Sequence, residues 1–342
     1  MDQAGITGQA SRHFHRLDDL SDRQIEDVLD LAARLKRGVS RPDLAGQTVG
    51  LLFFRPSLRT RTSLEVAMHQ LGGHTVNLNA ASDFWELEAR DNRLMDGVAP
   101  EHIKDAAAAL SCYVNAIAIR PALSGKSWTV DRKDEQIHSW MQHAGVPVIN
   151  MESALWHPLQ ALADLLTLRE TLGELKGKRL TIAWTASPTP SSPAVVHSIL
   201  MAALRSGMDV RVAHPSGYEL DSEVLEQARS MGQAAGAALE TGLPLAEAAT
   251  GAHVIYARSW WGLDTYGQPS LSAQQNFRAS GWCVDDRVLE AGDDAHLMHP
   301  MPIRRNLEVS DRVLDGPRSL IIEQAANRLH TQKSLLSLLL RS

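Results

Sequence analysis

Short apolar runs alternate along this chain with helical patterns, and that alternation leaves few folds open. Runs near residues 48–54, 75–79, 115–120 and 146–151 read as strands, with helical patterns near 60–71, 101–113 and 133–143 between them. A second series has strands near 178–185, 209–214, 252–258 and 295–299, and helices near 158–172, 193–206 and 221–235. Ahead of both, Ser21 to Gln24 makes a capping box for a helix carrying Ile25, Val28, Leu29, Ala32 and Leu35 that stops at Gly38. A final amphipathic helix takes 323–340. Strands linked through helices require right-handed crossovers and parallel sheets. The expectation is an α/β protein of two doubly wound parallel-sheet domains with a ligand-binding cleft between them. The first domain is expected over residues 1–152 and the second over 153–322, with the C-terminal helix, 323–342, packing back on the first.

Composition narrows the function classes. At 342 residues and 44% hydrophobic content, the chain can bury two cores. A net charge of −6 argues against a nucleic-acid scaffold, so arginines matter only as local clusters. No apolar run reaches the roughly 18 residues of a membrane span, and the N-terminus lacks a secretory h-region, so a cytoplasmic protein without membrane partners is expected. Cys112 and Cys283 offer neither a disulfide framework nor zinc spacing, and the histidines lack metal-ligand spacing, so no metal is expected. Gly125-Lys126-Ser127 resembles the end of a P-loop, but Arg120 stands where its upstream glycine is required. No G-x-G-x-x-G follows a strand, which removes the usual dinucleotide fingerprint.

The most informative stretch is Phe53-Phe-Arg-Pro-Ser-Leu-Arg-Thr-Arg-Thr-Ser63. A buried strand feeds a helix whose first turn carries Ser57, Leu58, Arg59, Thr60 and Arg61. Unpaired N–H groups, the helix dipole and planar guanidiniums there suit a multiply charged anion. Four further clusters stand at strand or helix ends: Arg120, His157-Pro-Leu-Gln160, His299-Pro-Met-Pro-Ile-Arg-Arg305, and Glu323-Gln-Ala-Ala-Asn-Arg-Leu-His330. Taken singly, these are an edge arginine, a cap, a rigid turn with two arginines able to reach back, and a surface charge.

Taken together and in this order, the clusters resemble the aspartate/ornithine carbamoyltransferase superfamily, and in particular its N-acylornithine branch. Branch features include Leu58 within Ser57-Leu-Arg-Thr-Arg, Trp85, Met95-Asp-Gly, Asn150-Met-Glu152 and the proline-rich loop Ser187–Pro193. The resemblance implies transfer of a carbamoyl group from carbamoyl phosphate to the side-chain amine of an acylated ornithine in arginine biosynthesis. It also implies a homotrimer with shared active sites and no cofactor. By resemblance, Ser57, Leu58, Arg59, Thr60, Trp85 and Met301 bind carbamoyl phosphate together with the catalytic set Arg120, His157, Gln160 and Arg328. The acceptor is assigned to Pro100, Glu152, His197, Arg258 and Arg304. The branch further implies a trefoil knot, with the Tyr256–Tyr266 region threaded past the proline-rich loop.

Some positions depart from the branch. Pro300 replaces a cysteine, His197 stands where an asparagine is expected, and Arg258 replaces a lysine. These leave the acceptor open, with free ornithine or another diamino acid as an alternative and a non-catalytic carbamoyl phosphate-binding paralogue as a second. Acetyl-type members resemble Met-Asp-Gly-x-x-Glu-Glu-His, whereas this chain reads Met95-Asp-Gly-Val-Ala-Pro100-Glu-His102. Pro100 removes a charge that would repel a succinyl carboxylate, and as the first residue of a helix its missing N–H costs nothing. With the extra Trp156, that favours N-succinylornithine over N-acetylornithine.

Overall fold

A computed structural model of the chain describes residues 13–38, 44–268 and 281–340. The chain divides into two units. One comprises Met1–Pro121, Glu135–Met151 and Gln332–Ser342, and the other Ala122–Asp134 and Glu152–Thr331.

In the first unit, β1 (Thr48–Phe53), β2 (His74–Asn79), β3 (Leu87–Glu88), β4 (Glu101–His102), β5 (Ala116–Arg120) and β6 (Val148–Asn150) follow in chain order. Four of them form a parallel sheet in the order β2-β1-β5-β6, and β3 pairs with β4 alone. β1 and β5 are buried along almost their whole length, as central parallel strands covered on both faces must be. Leu52, Ile103, Ile117, Ile119, Ile137 and Trp140 pack one core cluster of this unit. Ser21 caps the helix Asp22–Lys36 in a capping box with Gln24, as expected. Leu58, Trp85, Leu94 and Val98 are exposed.

The second unit carries β7 (Arg179–Trp184), β8 (Asp209–Ala213), β9 (Leu239–Leu243), β10 (Val254–Arg258) and β11 (His296–Met298) in a parallel sheet ordered β11-β10-β7-β8-β9. The two-sheet α/β architecture expected from the alternation is present. β9 is an addition: its alternating half-exposed pattern and Gly242 gave no apolar run to read. The short helices Leu245–Ala249, Asp286–Glu290 and Asp311–Leu314 are likewise too brief to show periodicity.

Ala122–Asp134 joins this unit through its carboxylates. The Gly125 turn is tied by Ser124 and Gly125 N–H groups donating to Asp131, which also accepts from the Tyr266 hydroxyl at 2.8 Å. Asp221 caps the helix Ser222–Ala235, accepts from Trp128 Nε1 at 2.7 Å and pairs with Arg132 at 2.8 Å. Gly267 is required where it stands, since a Cβ there would lie 2.1 Å from the Lys126 carbonyl oxygen. Ser191 of the proline-rich loop forms a parallel bridge with Trp260, so the two segments named for the knot are neighbours. Among the described residues, no helix is long and apolar enough to cross a membrane.

Candidate active site

In the first sheet β2 lies on one side of β1, and β5, reached next, lies on the other. Open α/β sheets bind ligands outside the carboxyl ends of their strands at such a reversal. Two of the sequence-predicted clusters end there. Phe53 and Arg120 are register partners, and the Phe54 N–H donates to the Arg120 carbonyl at 3.0 Å. Beyond β1 the helix Arg59–Gln70 begins, and Leu58 at its cap offers no side-chain bond. Ser57 supplies one: its Oγ accepts from the Thr60 N–H at 3.2 Å. Thr60 is buried, while Ser57, Arg59 and Arg120 are half-buried. Arg61 lies 4.2 Å over the Phe53 ring, and Arg55 Nε donates to the Pro121 carbonyl at 2.9 Å. These two arginines brace the end of β1 that leads to Arg59 and the end of β5 that carries Arg120. A helix N-terminus beside guanidiniums and hydroxyls can hold a phosphate dianion.

Trp85 and Pro100 lie on the exposed segment of this unit. Pro100 corrects one expectation. The helix starts at Ile103 with His102 as its cap, because Glu101 and His102 first pair with β3. Pro100 is therefore not a first helical residue, and its missing N–H is not among that helix's unpaired donors.

In the second unit His157 caps the helix Pro158–Leu172, with proline at its first position. The His157 N–H donates to Ser198 Oγ at 2.7 Å, whose own proton goes to the Ala194 carbonyl. His157 Nε2 stands 3.9 Å from Glu152 Oε2, and both side chains are buried. Arg328 Nη1 donates to Gln160 Oε1 at 2.5 Å. The His299 turn is built on its own ring: Nδ1 accepts from the Met301 N–H at 2.9 Å, so Nε2 carries the proton given to Glu308 at 2.9 Å. That contact holds Met301 at φ +54°, a left-handed conformation costly for a non-glycine residue. Gln324 accepts from the His299 N–H and donates to Asp164, which also accepts from Gln160, so Met301, Gln160 and Arg328 belong to one bonded assembly.

The second sheet repeats the reversal. β8 and β9 lie on one side of β7, β10 and β11 on the other, and Arg258 at the end of β10 is the register partner of Trp184. A pocket of about 280 Å³ opens here, lined among others by Ser187, Ser191, Arg258, Ser259, Arg304 and Glu308. Arg258 Nη2 donates to Ser191 Oγ at 2.6 Å, and Arg304 donates to Ser187 Oγ and Thr189 Oγ1 at 3.2 and 2.7 Å. Both guanidiniums are met by hydroxyls rather than carboxylates, and Arg258 Nε is buried with no hydrogen-bond partner among the described residues. Such a pocket suits an anionic group. Only one of the two neighbouring arginines reaches it, since Arg305 is tied to Asp311 and Asp315.

His197 lies outside the pocket lining. It is fully buried, with Nδ1 3.2 Å from the Leu155 carbonyl and its ring between Trp128 and Trp156. Burial pulls its pKa down to about 4, so the ring is neutral.

Sequence reasoning missed Asp164, Tyr256, Gln324, Glu308 and the hydroxyls of the proline-rich loop. Asp164 had a signal: it is four residues after Gln160 inside an otherwise apolar helical run, and a charge there needs partners. The loop serines had none beyond the prolines that stiffen it.

Comparison with known proteins agrees with this arrangement. Residues 12–170 match the family described as aspartate/ornithine carbamoyltransferase, carbamoyl-P binding domain, and residues 178–339 its Asp/Orn binding domain. An N-acetylornithine carbamoyltransferase of Xanthomonas campestris pv. campestris is 36% identical over 333 residues, covering 96% of this chain and 97% of the relative. An ornithine carbamoyltransferase of Parafrankia sp. is 40% identical over 338 residues, covering 96% of each. A crystal structure of acetylornithine transcarbamylase complexed with acetylcitrulline superposes with a TM-score of 0.94 at 36% identity, covering 96% of this chain and 99% of that one. A glutamate-to-proline mutant of N-acetyl-L-ornithine transcarbamylase, complexed with carbamyl phosphate and N-succinyl-L-norvaline, superposes at 0.93 with 37% identity and the same coverage.

Proposed function

The chain belongs to the aspartate/ornithine carbamoyltransferase family, and on that premise we propose that it carbamoylates the side-chain amine of an N-acylated ornithine, with N-succinylornithine as its substrate. The two-arginine pocket carries the reading. N-succinylornithine presents two carboxylates, and Arg258 and Arg304 offer two guanidiniums in one hydroxyl-lined cavity. N-acetylornithine presents only one. Pro100 supports the same choice by residue type, since it replaces a glutamate that would repel the acyl carboxylate. The succinyl analogue bound by a glutamate-to-proline relative supports it as well.

The chemistry follows from the residues. Ser57, Arg59, Thr60 and the helix N-terminus hold the phosphate and offset its charge as it leaves, with Leu58, Trp85 and Met301 completing its surroundings. Arg120 and His157 meet the carbamoyl oxygen as negative charge develops on it, each donor worth a few kcal/mol, roughly 3, in the tetrahedral state. Gln160 Oε1 and the Met301 region orient the carbamoyl NH₂, and Arg328 fixes Gln160. The neutral amine attacks the carbonyl carbon, the C–O bond to phosphate breaks, and the departing phosphate accepts the amine proton. Holding amine and carbon in line supplies the rest.

A second reading has a specific observation behind it. Glu308 lines the same pocket and could take the α-ammonium of free ornithine, the substrate named for the Parafrankia relative. Its oxygens are already engaged by His299 and Ser259, which favours the acylated substrate. Steady-state kcat/KM for N-succinylornithine, N-acetylornithine and ornithine separates these readings. The succinyl compound is expected to lead, and Pro100→Glu to erode its use selectively. A lead for either of the other two would overturn the assignment.

A further inference from the structure

We infer that Asp164 is the positioning residue that sets which end of the Gln160 amide faces the reacting carbamoyl group. The inference rests on the carbamoyltransferase reading and extends it to a residue that touches no substrate. Asp164 is wholly buried, and its two oxygens are fully engaged. Oδ1 accepts from Gln160 Nε2 at 2.8 Å and from Gln324 Nε2 at 2.7 Å, and Oδ2 accepts from the Tyr256 hydroxyl at 2.9 Å.

Simple donor–acceptor chemistry makes this consequential. A carboxylate only accepts, so both glutamines must turn their NH₂ groups toward Asp164. A guanidinium only donates, so the Gln160 oxygen must face Arg328, as it does at 2.5 Å. That oxygen keeps a second lone pair for the carbamoyl NH₂. Gln324 is fixed by the same logic, its oxygen accepting from the His299 N–H at 2.9 Å. One carboxylate therefore orders the helix behind His157, the turn that carries Met301, and the β10 residue two before Arg258, which shares its strand face. Buried polar assemblies of this kind specify geometry only while every member is satisfied.

The groups facing Asp164 are Gln160 on its own helix, Tyr256 on β10, and Gln324 and the Arg328 charge on the last helix. Burial pushes the Asp164 carboxyl up to about 6 against the three hydrogen bonds and Arg328, which pull it down. The proton-linked stability from this group is thus complete below its unfolded value near 3.8 and is lost as pH rises through about 6. Catalysis needs the opposite, ionised form, because a protonated Asp164 no longer demands two amide donors.

The test uses the full-length enzyme and its best acceptor, comparing wild type with Asp164→Asn and Tyr256→Phe. Asp164→Asn should keep the wild-type circular dichroism spectrum and bind carbamoyl phosphate within about tenfold, because Ser57, Arg59, Thr60 and Arg120, which carry the charge-assisted contacts to the phosphate, belong to the other unit. Its kcat should fall by about 10²-fold, as a misoriented group does, and the acidic limb of its kcat–pH profile should disappear. Tyr256→Phe removes one donor to the carboxylate and should move that limb to higher pH. An Asp164→Asn kcat equal to wild type, or a limb at the wild-type position in both variants, overturns the inference. Should Asp164→Asn fail to fold, the position of the limb in Tyr256→Phe alone decides. Failure of the underlying reading is a distinct result: wild type would then transfer no carbamoyl group to any acceptor.

Discussion

Arg59→Ala is expected to weaken carbamoyl phosphate binding by about 10³-fold, with turnover falling at least as far. The phosphate would lose a charge-assisted fork at the helix N-terminus, where the Ser57 hydroxyl and the buried Thr60 already fix the first turn. Fold stability should change little, because Arg59 is half-buried and the helix keeps its Ser57 cap. Isothermal titration with carbamoyl phosphate alone reads the effect. An affinity within a few-fold of wild type would show that the anion is held elsewhere.

Arg258→Ala should act on the other substrate. Its guanidinium is buried at the end of β10, donates to Ser191, and has a buried Nε with no hydrogen-bond partner among the described residues. Removing it takes one of the two guanidiniums out of the pocket and should lower kcat/KM for the acceptor by about 10²- to 10³-fold, mainly through KM. Carbamoyl phosphate affinity should stay within about threefold of wild type, since truncation here removes only acceptor contacts. Arg258→Lys should recover part of the loss, keeping charge but not the planar fork. A variant whose carbamoyl phosphate affinity collapses with its acceptor KM unchanged would reverse the assignment of the two sites.

What could be read in advance followed from local chemistry. β1 and β5 are continuous apolar runs because both faces of a central parallel strand are covered, so Thr48–Phe53 and Ala116–Arg120 stood out. The Ser57–Thr60 turn was legible for the same kind of reason, since hydroxyls and arginines at a strand-to-helix junction point to an anion. The edge strand β9 was not legible, because half-exposed edges alternate with polar residues and look like loop. Pro100 was misplaced by one short element: β4 intervenes before the helix, and two residues carry no detectable periodicity. Asp164, Tyr256 and Gln324 come together from positions 164, 256 and 324, so only the folded chain shows that they share one carboxylate. The two-arginine pocket is tertiary in the same sense, built from the proline-rich loop, the end of β10 and the turn after β11.

The account turns on acceptor-dependent carbamoyl transfer. Purified protein with carbamoyl phosphate and N-succinylornithine, without added metal, should release phosphate and form the carbamoylated acceptor in equal amounts, and release should stop when the amine is omitted. Phosphate release that ignores the amine, or saturable carbamoyl phosphate binding with no product from any acylornithine, ornithine, lysine, aspartate or putrescine, would contradict it.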